Sequence, residues 1–393
     1  MRPVNIGLVC EGDASTSETA FSGTAKKMFE ALRREGHAVE PLDASIRGIR
    51  RGLAAFVSLS VNRERWRSKF RYGIDIAPMR TTSATRSTRG KDLDIILQVG
   101  ATYDPPLCGQ LPYALYCDWN MALSIEATRS KGVHSRGLTV KELTDINSHH
   151  ARRYRDAAAI LVISERLRQS FLSDYEIAPH RVHTVYAGPN FDLSLIHEAL
   201  AVPRLDSRPT ILFVGKEFHR KGGDILARAF VSLQEKVPGV QLIIVGTEKT
   251  PDEFSGIADI RNLGLLEKSD PFHLRTLLSA YREADVVALP SRHDPFPNVI
   301  REAMFFGLPC VASDIWAMSE MIVDGETGYL VPPEDVNALV TRLELLLVDP
   351  ERRLKLGHAA RTRANSMFTW ERTGKKMHDI LQQISSPSRD RPE

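Results

Sequence analysis

The chain has 393 residues, of which 26% are charged and 42% are hydrophobic, a composition typical of a globular protein and not of a disordered or membrane-spanning one. It contains no run of about 18 apolar residues, which argues against a membrane-spanning helix. The length predicts two or three domains, each long enough to bury its own core.

The N-terminal sequence MRPVNIGLVCEGD runs straight into an apolar, strand-like segment and has no small-residue cleavage site, so we expect no secretory signal. The four cysteines are scattered and show no CxxC spacing: Cys10, Cys108, Cys117 and Cys310. We expect them to be buried thiols in a reducing compartment, and not disulfides or zinc ligands. These features predict a cytoplasmic protein.

Apolar runs alternate with helix-length segments twice along the chain. In the first half the candidate strands are residues 4–10, 37–42, 93–99, 113–117, 158–163 and 182–186. In the second half they are residues 211–214, 240–245, 260–263, 285–289, 309–312 and 328–331. Several of these runs are apolar almost throughout, as expected when helices cover both faces of a parallel sheet. The sequence therefore predicts two doubly wound α/β domains.

The predicted domain boundaries follow the composition. A first domain covers residues 1–187, and residues 188–209, which contain a Gly-Pro pair and a polar stretch, are predicted to be a linker. The second domain covers residues 210–369. A last helix and a polar tail follow at 370–393; the helix could return to the first domain, and we expect the tail to be disordered.

An insert at residues 46–91 is the compositional outlier. Between positions 47 and 91 it carries twelve basic residues and two acidic ones. We expect one or two helices around 57–70, joined by a loop at 80–89. The insert is either a solvated basic face or a surface for an anionic partner, such as an acceptor phosphate or the lipid headgroups of a membrane that it contacts peripherally. Nucleic acid is less favoured, because no aromatic stacking platform or nucleic-acid motif accompanies the charge.

Two stretches carry residues suited to phosphate chemistry. The first, VGKEFHRKGG at 214–223, is the end of a strand followed by a basic, glycine-containing loop and a helix start. The glycines, beginning with Gly215, let the backbone approach a ligand, and Lys216 and Lys221 could neutralise a pyrophosphate at the edge where open α/β sheets bind ligands. The P-loop pattern is absent.

The second stretch, PSRHDPFPNVIREAMFFGLPCVASD at 290–314, is the end of a strand, a proline-rich turn, a short helix and a second strand. Such a step brings a helix N-terminus and strand ends to one crevice, where backbone N–H groups and the helix dipole favour a phosphate. Two acids belong to it: Asp294 in the turn and Glu302 on the helix.

These two stretches, followed by EMIVDGETGYLV at 320–331, resemble the retaining glycosyltransferases of family 4. The similarity covers about 210–385, and the first domain matches more loosely. The resemblance implies the GT-B fold, in which two Rossmann-like doubly wound domains face a cleft. It also implies a nucleotide diphosphate sugar as co-substrate, with no other cofactor and no metal.

The resemblance assigns roles by position. Glu302 would bind the ribose hydroxyls, Asp294, where relatives carry a glutamate, would lie near the donor sugar, and Lys216 and Lys221 would clamp the pyrophosphate. The turn amides from Phe296 to Val299 would hold the sugar and pyrophosphate. The other donor-binding residues implied are Phe296, Pro297, Asn298, Val299, Gly215, Gly246, Leu265, Gly23 and Thr24.

Simpler interpretations stay open for several of these residues. Asp294 could cap the following helix, and Glu302 could be a solvent-facing helix residue. Gly23 and Thr24 could form a plain helix start, and Asp118, which the resemblance places on the acceptor side, could belong to a simple turn.

Two patterns that suggest a metal are explained more simply. The Asp92-Leu93-Asp94 sequence precedes a strand and is interpreted as a strand entry. His149 and His150 are neighbours on a predicted helix and point to different faces, which argues against a shared metal.

The favoured function is a metal-independent, retaining hexosyltransferase-type glycosyltransferase whose acceptor, a small molecule, a glycan or a lipid-linked sugar, is held mainly by the first domain. The alternatives are a nucleotide-sugar-binding protein of GT-B fold without transferase activity, and a nucleotide-sugar epimerase. The shortened acid at Asp294 motivates the first alternative.

Overall fold

A computed structural model describes residues 3–16, 23–131, 137–204 and 207–385. The chain divides into two compact units. The first unit comprises Met1–Ala187 and Trp370–Glu393, and the second comprises Gly188–Thr369. Each unit is built on one six-stranded sheet. No helix among the described residues is both long and apolar enough to cross a bilayer.

The first unit is built on a parallel sheet of order β2-β1-β3-β4-β5-β6. Its strands are β1 (Asn5–Cys10), β2 (Ala38–Asp43), β3 (Ile95–Val99), β4 (Tyr113–Cys117), β5 (Ala159–Val162) and β6 (Val182–Thr184). The central strands are buried along their whole length, because helices cover both faces of the sheet. The strand order reverses between β1 and β3.

The second unit is also built on a six-stranded parallel sheet, with the order β12-β11-β10-β7-β8-β9. Its strands are β7 (Thr210–Val214), β8 (Gln241–Val245), β9 (Ile260–Asn262), β10 (Val286–Leu289), β11 (Cys310–Ser313) and β12 (Gly328–Val331). All its strand pairs are parallel. The order reverses between β7 and β10, so their carboxyl ends flank a topological switch point. All twelve predicted strands are therefore present.

Helices fill the connections. In the first unit they are α1 (Thr24–Arg34), α2 (Ile49–Val57), α3 (Arg63–Tyr72), α4 (Ala77–Ser87), α5 (Met121–Lys131), α6 (Val140–Asp156) and α7 (Glu165–Asp174). In the second unit they are α8 (Leu193–Leu200), α9 (Gly223–Lys236), α10 (Pro271–Glu283), α11 (Asn298–Phe305), α12 (Met318–Met321), α13 (Val336–Val348) and α14 (Pro350–Met367). The last helix, α15 (Trp370–Ser385), belongs to the first unit.

The basic insert folds differently from the prediction. It holds three helices, α2 to α4, and the loop predicted at 80–89 is wrong, because α4 covers most of it. The helix forms because Arg80 is buried and pairs with Glu11, with 3.1 Å between Nε and Oε1, while Ala84 packs inward on the same side. The burial of an arginine beside a distant glutamate cannot be read from a run of Arg, Ser and Thr.

Of two segments outside the sheets, one differs from its prediction and the other takes the option stated for it. The stretch predicted as a linker contains the helix α8, whose Ile196 is buried. Helix α15 packs on the first unit, where Thr373 Oγ1 donates to the carbonyl oxygen of Val185 at 3.3 Å and Gly374 lies against Ala31 of α1. The predicted disordered tail lies outside the described residues from position 386 onward.

The cysteine prediction holds for three of the four residues. All four are free thiols, and Cys10, Cys117 and Cys310 are buried, but Cys108 is exposed. It lies in the connection between β3 and β4, outside the apolar strands that bury the other three. Burial raises the pKa of the Cys10 thiol to about 12, so this thiol stays protonated at neutral pH.

Candidate active site

The predicted donor-side residues of the second unit gather at the β7–β10 switch point. The segment 215–222 follows β7, and the segment 290–297 follows β10, on neighbouring strands of the sheet. Since parallel strands end at the same edge, their loops meet there. Helices α9 and α11 begin at the ends of these two segments, so both helix N-termini lie at this edge.

The segments 215–222 and 290–297 approach each other closely at Gly222. Gly222 has a left-handed backbone with φ of 75°, and a Cβ atom there would lie 1.9 Å from the carbonyl oxygen of Pro290. The backbone N–H of Arg292 donates to the carbonyl of Arg220 at 2.9 Å. The guanidinium of Arg220 in turn donates to the carbonyl of His293 at 2.5 Å. The geometry of the turn therefore depends on the loop that follows β7.

Arg292 adds a charged clamp at the outer side of the same turn. Its guanidinium donates to both carboxylate oxygens of Asp224, at 2.6 and 2.7 Å, and also to Glu334 at 2.5 Å. Although burial opposes the change, the hydrogen bonds from Arg292 lower the pKa of Asp224. The hydrogen bond to Asp224 raises the pKa of Arg292. This network fixes the start of α9 to the proline-rich turn.

The central pair of the site is Lys221 and Asp294. The ammonium of Lys221 contacts Oδ2 of Asp294, and the two side chains are only 12% and 9% exposed. Asp294 does not cap the following helix, since Pro297 is the N-cap residue of α11. A cation and a carboxylate are thus held side by side at the switch point.

Both helix N-termini beside this pair lack a side-chain cap. The N-cap residues are Gly222 for α9 and Pro297 for α11, and neither provides a capping hydrogen bond. Free N–H groups at a helix start attract anions. One expectation needs correction, because Pro297 has no backbone N–H and cannot donate to a ligand. The first helical N–H groups are those of Asn298 and Val299.

Glycines also shape the ends of β7 and β8. Gly246 has φ of 111°, and a Cβ atom there would lie 2.6 Å from the carbonyl carbon of Gly215. The N–H of Gly246 donates to the carbonyl of Gly264 at 2.8 Å. Leu265, which is half-buried, follows Gly264 and therefore lies next to the carboxyl end of β8. Gly215, Gly246 and Leu265 therefore border one edge of the sheet.

Glu302 is buried on α11 and is not a solvent-facing residue, with an exposed fraction of 1%. Its Oε1 contacts the ammonium of Lys268, and its Oε2 accepts from the hydroxyl of Tyr281 at 2.9 Å. Burial and the neighbouring Glu302 raise the pKa of Tyr281 well above its usual value. Lys268 also lies over the ring of Phe191, with Nζ 4.9 Å from the centroid. Lys268 and Tyr281 were not predicted from the sequence.

Two predicted residues have different environments from the rest. Lys216 is exposed, and it forms no ion pair with any residue in the described ranges, so its ammonium is available to a ligand. The ring of Phe296 is buried against Phe368, with centroids 5.8 Å apart, and Arg301 covers it at 5.1 Å. Phe296 can therefore face a ligand only through its backbone.

The remaining predicted residues belong to the first unit. Gly23 is the N-cap of α1 with φ of 86°, and Thr24 is buried at the first position of that helix. Ser22, the residue before them, lies outside the described residues. Asp118 is exposed directly after β4. Gly23 precedes the helix after β1, so the two positions follow strands of one parallel sheet.

The two patterns that suggested a metal have the expected simpler roles. Asp94 Oδ2 accepts from the backbone N–H of Asn5 at 2.8 Å, at the amino end of β3. His150 is buried, which lowers its pKa to about 3, whereas His149 is exposed. Across the described ranges, no group of three or more His, Cys, Asp or Glu side chains could hold a metal ion.

The second unit, which holds this site, is similar to a known protein family. Residues 199–363 match the family described as glycosyl transferases group 1. A D-inositol 3-phosphate glycosyltransferase of Corynebacterium aurimucosum is 29% identical over 70% of this chain and 69% of its own length. The matched family segment contains the Lys221–Asp294 pair and Glu302.

Solved structures share the whole architecture. The sucrose-phosphate synthase of Thermosynechococcus elongatus aligns with a TM-score of 0.73 at 19% identity, covering 98% of this chain and 100% of that one. The Anabaena protein HepE, solved in complex with UDP and glucose, aligns with a TM-score of 0.65 at 16% identity, covering 97% and 100%. These similarities show the two-domain GT-B fold, and the family match makes the second unit similar to the group 1 glycosyltransferases.

Proposed function

We propose that this glycosyltransferase transfers a sugar, with retention of its anomeric configuration, from a nucleoside diphosphate sugar to a hydroxyl group of its acceptor. The observation that carries the proposal is the Lys221–Asp294 pair at the switch point, flanked by the uncapped starts of α9 and α11. A pyrophosphate leaving group gains negative charge as it departs. Cationic side chains and helix N–H groups stabilise that charge.

The proposed step exchanges one bond at the anomeric carbon for another. The bond from this carbon to the β-phosphate oxygen breaks, and its electron pair leaves with the nucleoside diphosphate. The acceptor oxygen forms the new bond on the same face of the sugar. Its proton passes to the departing phosphate, so charge and atoms balance. Lys221 and the exposed Lys216 supply positive charge for this step without a metal.

Asp294 and Glu302 would bind the two hydroxyl-bearing ends of the donor. A carboxylate accepts charge-assisted hydrogen bonds from sugar hydroxyls and fixes their orientation. Asp294 already holds Lys221, so it is suited to orient the sugar beside the phosphate-binding lysine. Glu302 holds Lys268, and ribose hydroxyls would compete with that ammonium for the carboxylate. Gly246 and Leu265 would flank the base.

The donor proposed for first trial is a uridine diphosphate sugar, because HepE, a fold neighbour, was solved with UDP and glucose. The acceptor would be held mainly by the first unit. Its exposed Asp118 and the start of α1 at Gly23 and Thr24 follow strands of the first sheet, and in parallel sheets ligands bind at the carboxyl edge.

We further propose that the enzyme works in the cytoplasm and contacts a membrane through residues 46–91. Four free cysteines fit a reducing compartment. The excess of basic residues in the segment fits an anionic surface.

A thermal-shift screen with uridine, guanosine and adenosine diphosphate sugars tests the donor assignment. A ligand at about a hundred times its Kd stabilises the native state by about 2.7 kcal/mol, so one nucleotide class should raise the melting temperature clearly. Proton NMR of the product then reports the anomeric configuration, which should match that of the donor. An inverted product would contradict retention, and no shift with any donor would contradict the site.

A further inference from the structure

The helix α2 presents its apolar side to solvent. Ile49, Leu53, Phe56 and Val57 follow the i, i+4, i+7, i+8 spacing that places side chains on one helix face, and all four are exposed. The side that packs inward is small: Ala54 joins Ile46 and Ile76 in a minor core cluster. A surface helix normally buries its apolar stripe, so the orientation of α2 is reversed.

The exposed apolar surface continues past the helix. Leu59 and Val61, in the connection to α3, are also exposed. Of the thirteen large hydrophobic side chains exposed among the described residues, six lie within residues 49–61. Single exposed apolar residues are common on protein surfaces, but a continuous group marks an interaction surface.

Arginines surround this group. Arg63, Arg67 and Arg71 lie at i, i+4 and i+8 of α3, all exposed, and Arg50 and Arg51 lie on α2. None of these five forms an ion pair with a residue in the ranges that the structure describes. By contrast, Arg65 and Lys69 of the same helix both reach Glu142, at 2.8 and 3.6 Å.

Helices α2 and α3 form one packed element. The indole N–H of Trp66 donates to the carbonyl of Ala55 at 3.0 Å, and Trp66 stacks on Phe70 with centroids 6.0 Å apart. Residues 47–71 carry eight basic residues and a single acid, Glu64. The apolar face of α2 and the arginines of α3 therefore belong to one surface patch, which we call the α2–α3 patch, residues 47–71.

We propose that the α2–α3 patch docks on an anionic lipid bilayer, with Ile49, Leu53 and Phe56 inserted among the acyl chains and the arginines at the phosphate headgroups. An interfacial helix has this composition, with an apolar face beside a basic one. Charge complementarity favours anionic lipid, since the patch has almost no acidic side chains. The inference deepens the membrane contact in the proposed function and does not depend on the transfer chemistry.

Vesicle sedimentation of the full chain tests the proposal. We expect binding to vesicles of phosphatidylglycerol mixed with phosphatidylcholine, no binding to phosphatidylcholine alone, and weaker binding as salt is raised. Absence of binding to the anionic vesicles would overturn the proposal. Equal binding to both vesicle types would overturn its electrostatic part.

Matched variants test whether the side chains of α2 insert into the bilayer or whether any exposed apolar side chain of the protein promotes binding. The double variant Leu53→Ser with Phe56→Ser should bind the anionic vesicles at least about tenfold more weakly, because two inserted side chains are lost. The control is Leu354→Ser with Phe272→Ser, which changes the same residue types at sites that are 72% and 67% exposed in the second unit. This control should bind like the wild type, and an equal loss in both would contradict the assignment.

A second copy of the chain is the competing occupant. If α2 paired with another copy, the wild type would sediment as a dimer without lipid, and Leu53→Ser with Phe56→Ser would make it a monomer; that outcome would overturn the lipid proposal. The vesicle assay contains no donor and the donor screen contains no lipid. A negative result in the vesicle assay therefore leaves the proposed transfer reaction unaffected, and a negative result in the donor screen leaves the lipid proposal unaffected.

Discussion

Two buried carboxylates in the second unit each hold a lysine. Asp294 pairs with Lys221, and Glu302 pairs with Lys268. Such pairs are tolerated at low exposure because each charge compensates the other. A donor that binds both carboxylates through its hydroxyl groups must compete with the lysines, and its pyrophosphate then takes over the freed positive charge.

The charge of Asp294 can be removed with little change in shape. Asp294→Asn should lower kcat about a hundredfold, because the donor sugar is no longer oriented by a carboxylate. The KM for the donor should stay the same or fall, since Lys221 is then free to bind the pyrophosphate. Steady-state kinetics with Asp294→Glu as the companion variant measures this split. A raised KM with unchanged kcat would show that Asp294 serves only binding.

Glu302 should act on binding. Glu302→Gln removes charge-assisted hydrogen bonds of about 1.5–3 kcal/mol, so we expect donor affinity to fall roughly tenfold to a hundredfold. Tyr281→Phe is the matched control, because it removes only the hydroxyl that supports Oε2 of Glu302. Calorimetry on both variants gives the comparison. Equal loss of affinity in the two would mean that Glu302 has a structural role only.

The sequence identified Asp294, Glu302 and Lys221 as candidates because each lies in a recognisable strand–turn–helix step. It could not identify Lys268, which lies in a polar connection 34 positions before Glu302. Its pairing depends on how β9 and α10 return beside α11. That relation is set by the packing of the whole unit and leaves no local pattern.

At the scale of elements, the loop after β7 determines the geometry of the turn after β10. Gly222→Ala would force a Cβ atom into the carbonyl of Pro290. Gly256→Ala is the matched control, since Gly256 has the same φ of 75° and open space around it. We expect the control to cost about 1–2 kcal/mol from left-handed strain alone, and Gly222→Ala to cost more and to abolish donor binding. Equal unfolding free energies in urea would contradict this.

Helix α15 is held to the first unit by a histidine pair. The backbone N–H of Val4 donates to Nδ1 of His37 at 3.3 Å, so the ring proton of the neutral His37 lies on Nε2, which is 2.9 Å from Nδ1 of His378. Burial, and secondarily the charge of His378, lowers the pKa of His37. Protonation of His37 would place a buried charge against this contact.

The stability of the first unit should therefore depend on pH. Below a pH of about 6.5 the unfolded state takes up a proton at His37 that the folded state resists, so the unfolding free energy falls as pH is lowered. Denaturant unfolding between about pH 7.5 and 5.5 should show a smaller slope for His37→Gln than for the wild type. His180→Gln, at an exposed site, should leave the slope unchanged. An unaltered slope in His37→Gln would remove His37 as a cause.

The strands were predictable from the sequence, whereas two of the helices were not. The twelve strands are continuous apolar runs, and their burial between helices explains why the pattern was sufficient. Helix α4 was missed because its buried arginine looks like a surface residue until Glu11 is placed beside it. Helix α8 was missed because only Ile196 of its eight residues is fully buried.

At the scale of the whole molecule, both units reverse their strand order once, but after the second strand in chain order in the first sheet and after the third in the second sheet. The chain enters the second unit at Gly188 and returns to the first at Trp370. The sequence analysis left this return open, because the amphipathic pattern of the last helix does not indicate which unit the helix packs against. The family match at 199–363 concentrates in the second unit, which accounts for the more specific sequence signals there.

Calorimetric titration of nucleoside diphosphates tests the central claim most directly. UDP, GDP and ADP are titrated into the wild type, Lys221→Ala and the control Lys355→Ala, an exposed lysine of α14. We expect one of the three nucleotides to bind at a single site, at least about tenfold more weakly to Lys221→Ala and with unchanged affinity to the control. Equal affinity for wild type and Lys221→Ala, or no binding of any nucleotide, would contradict the account.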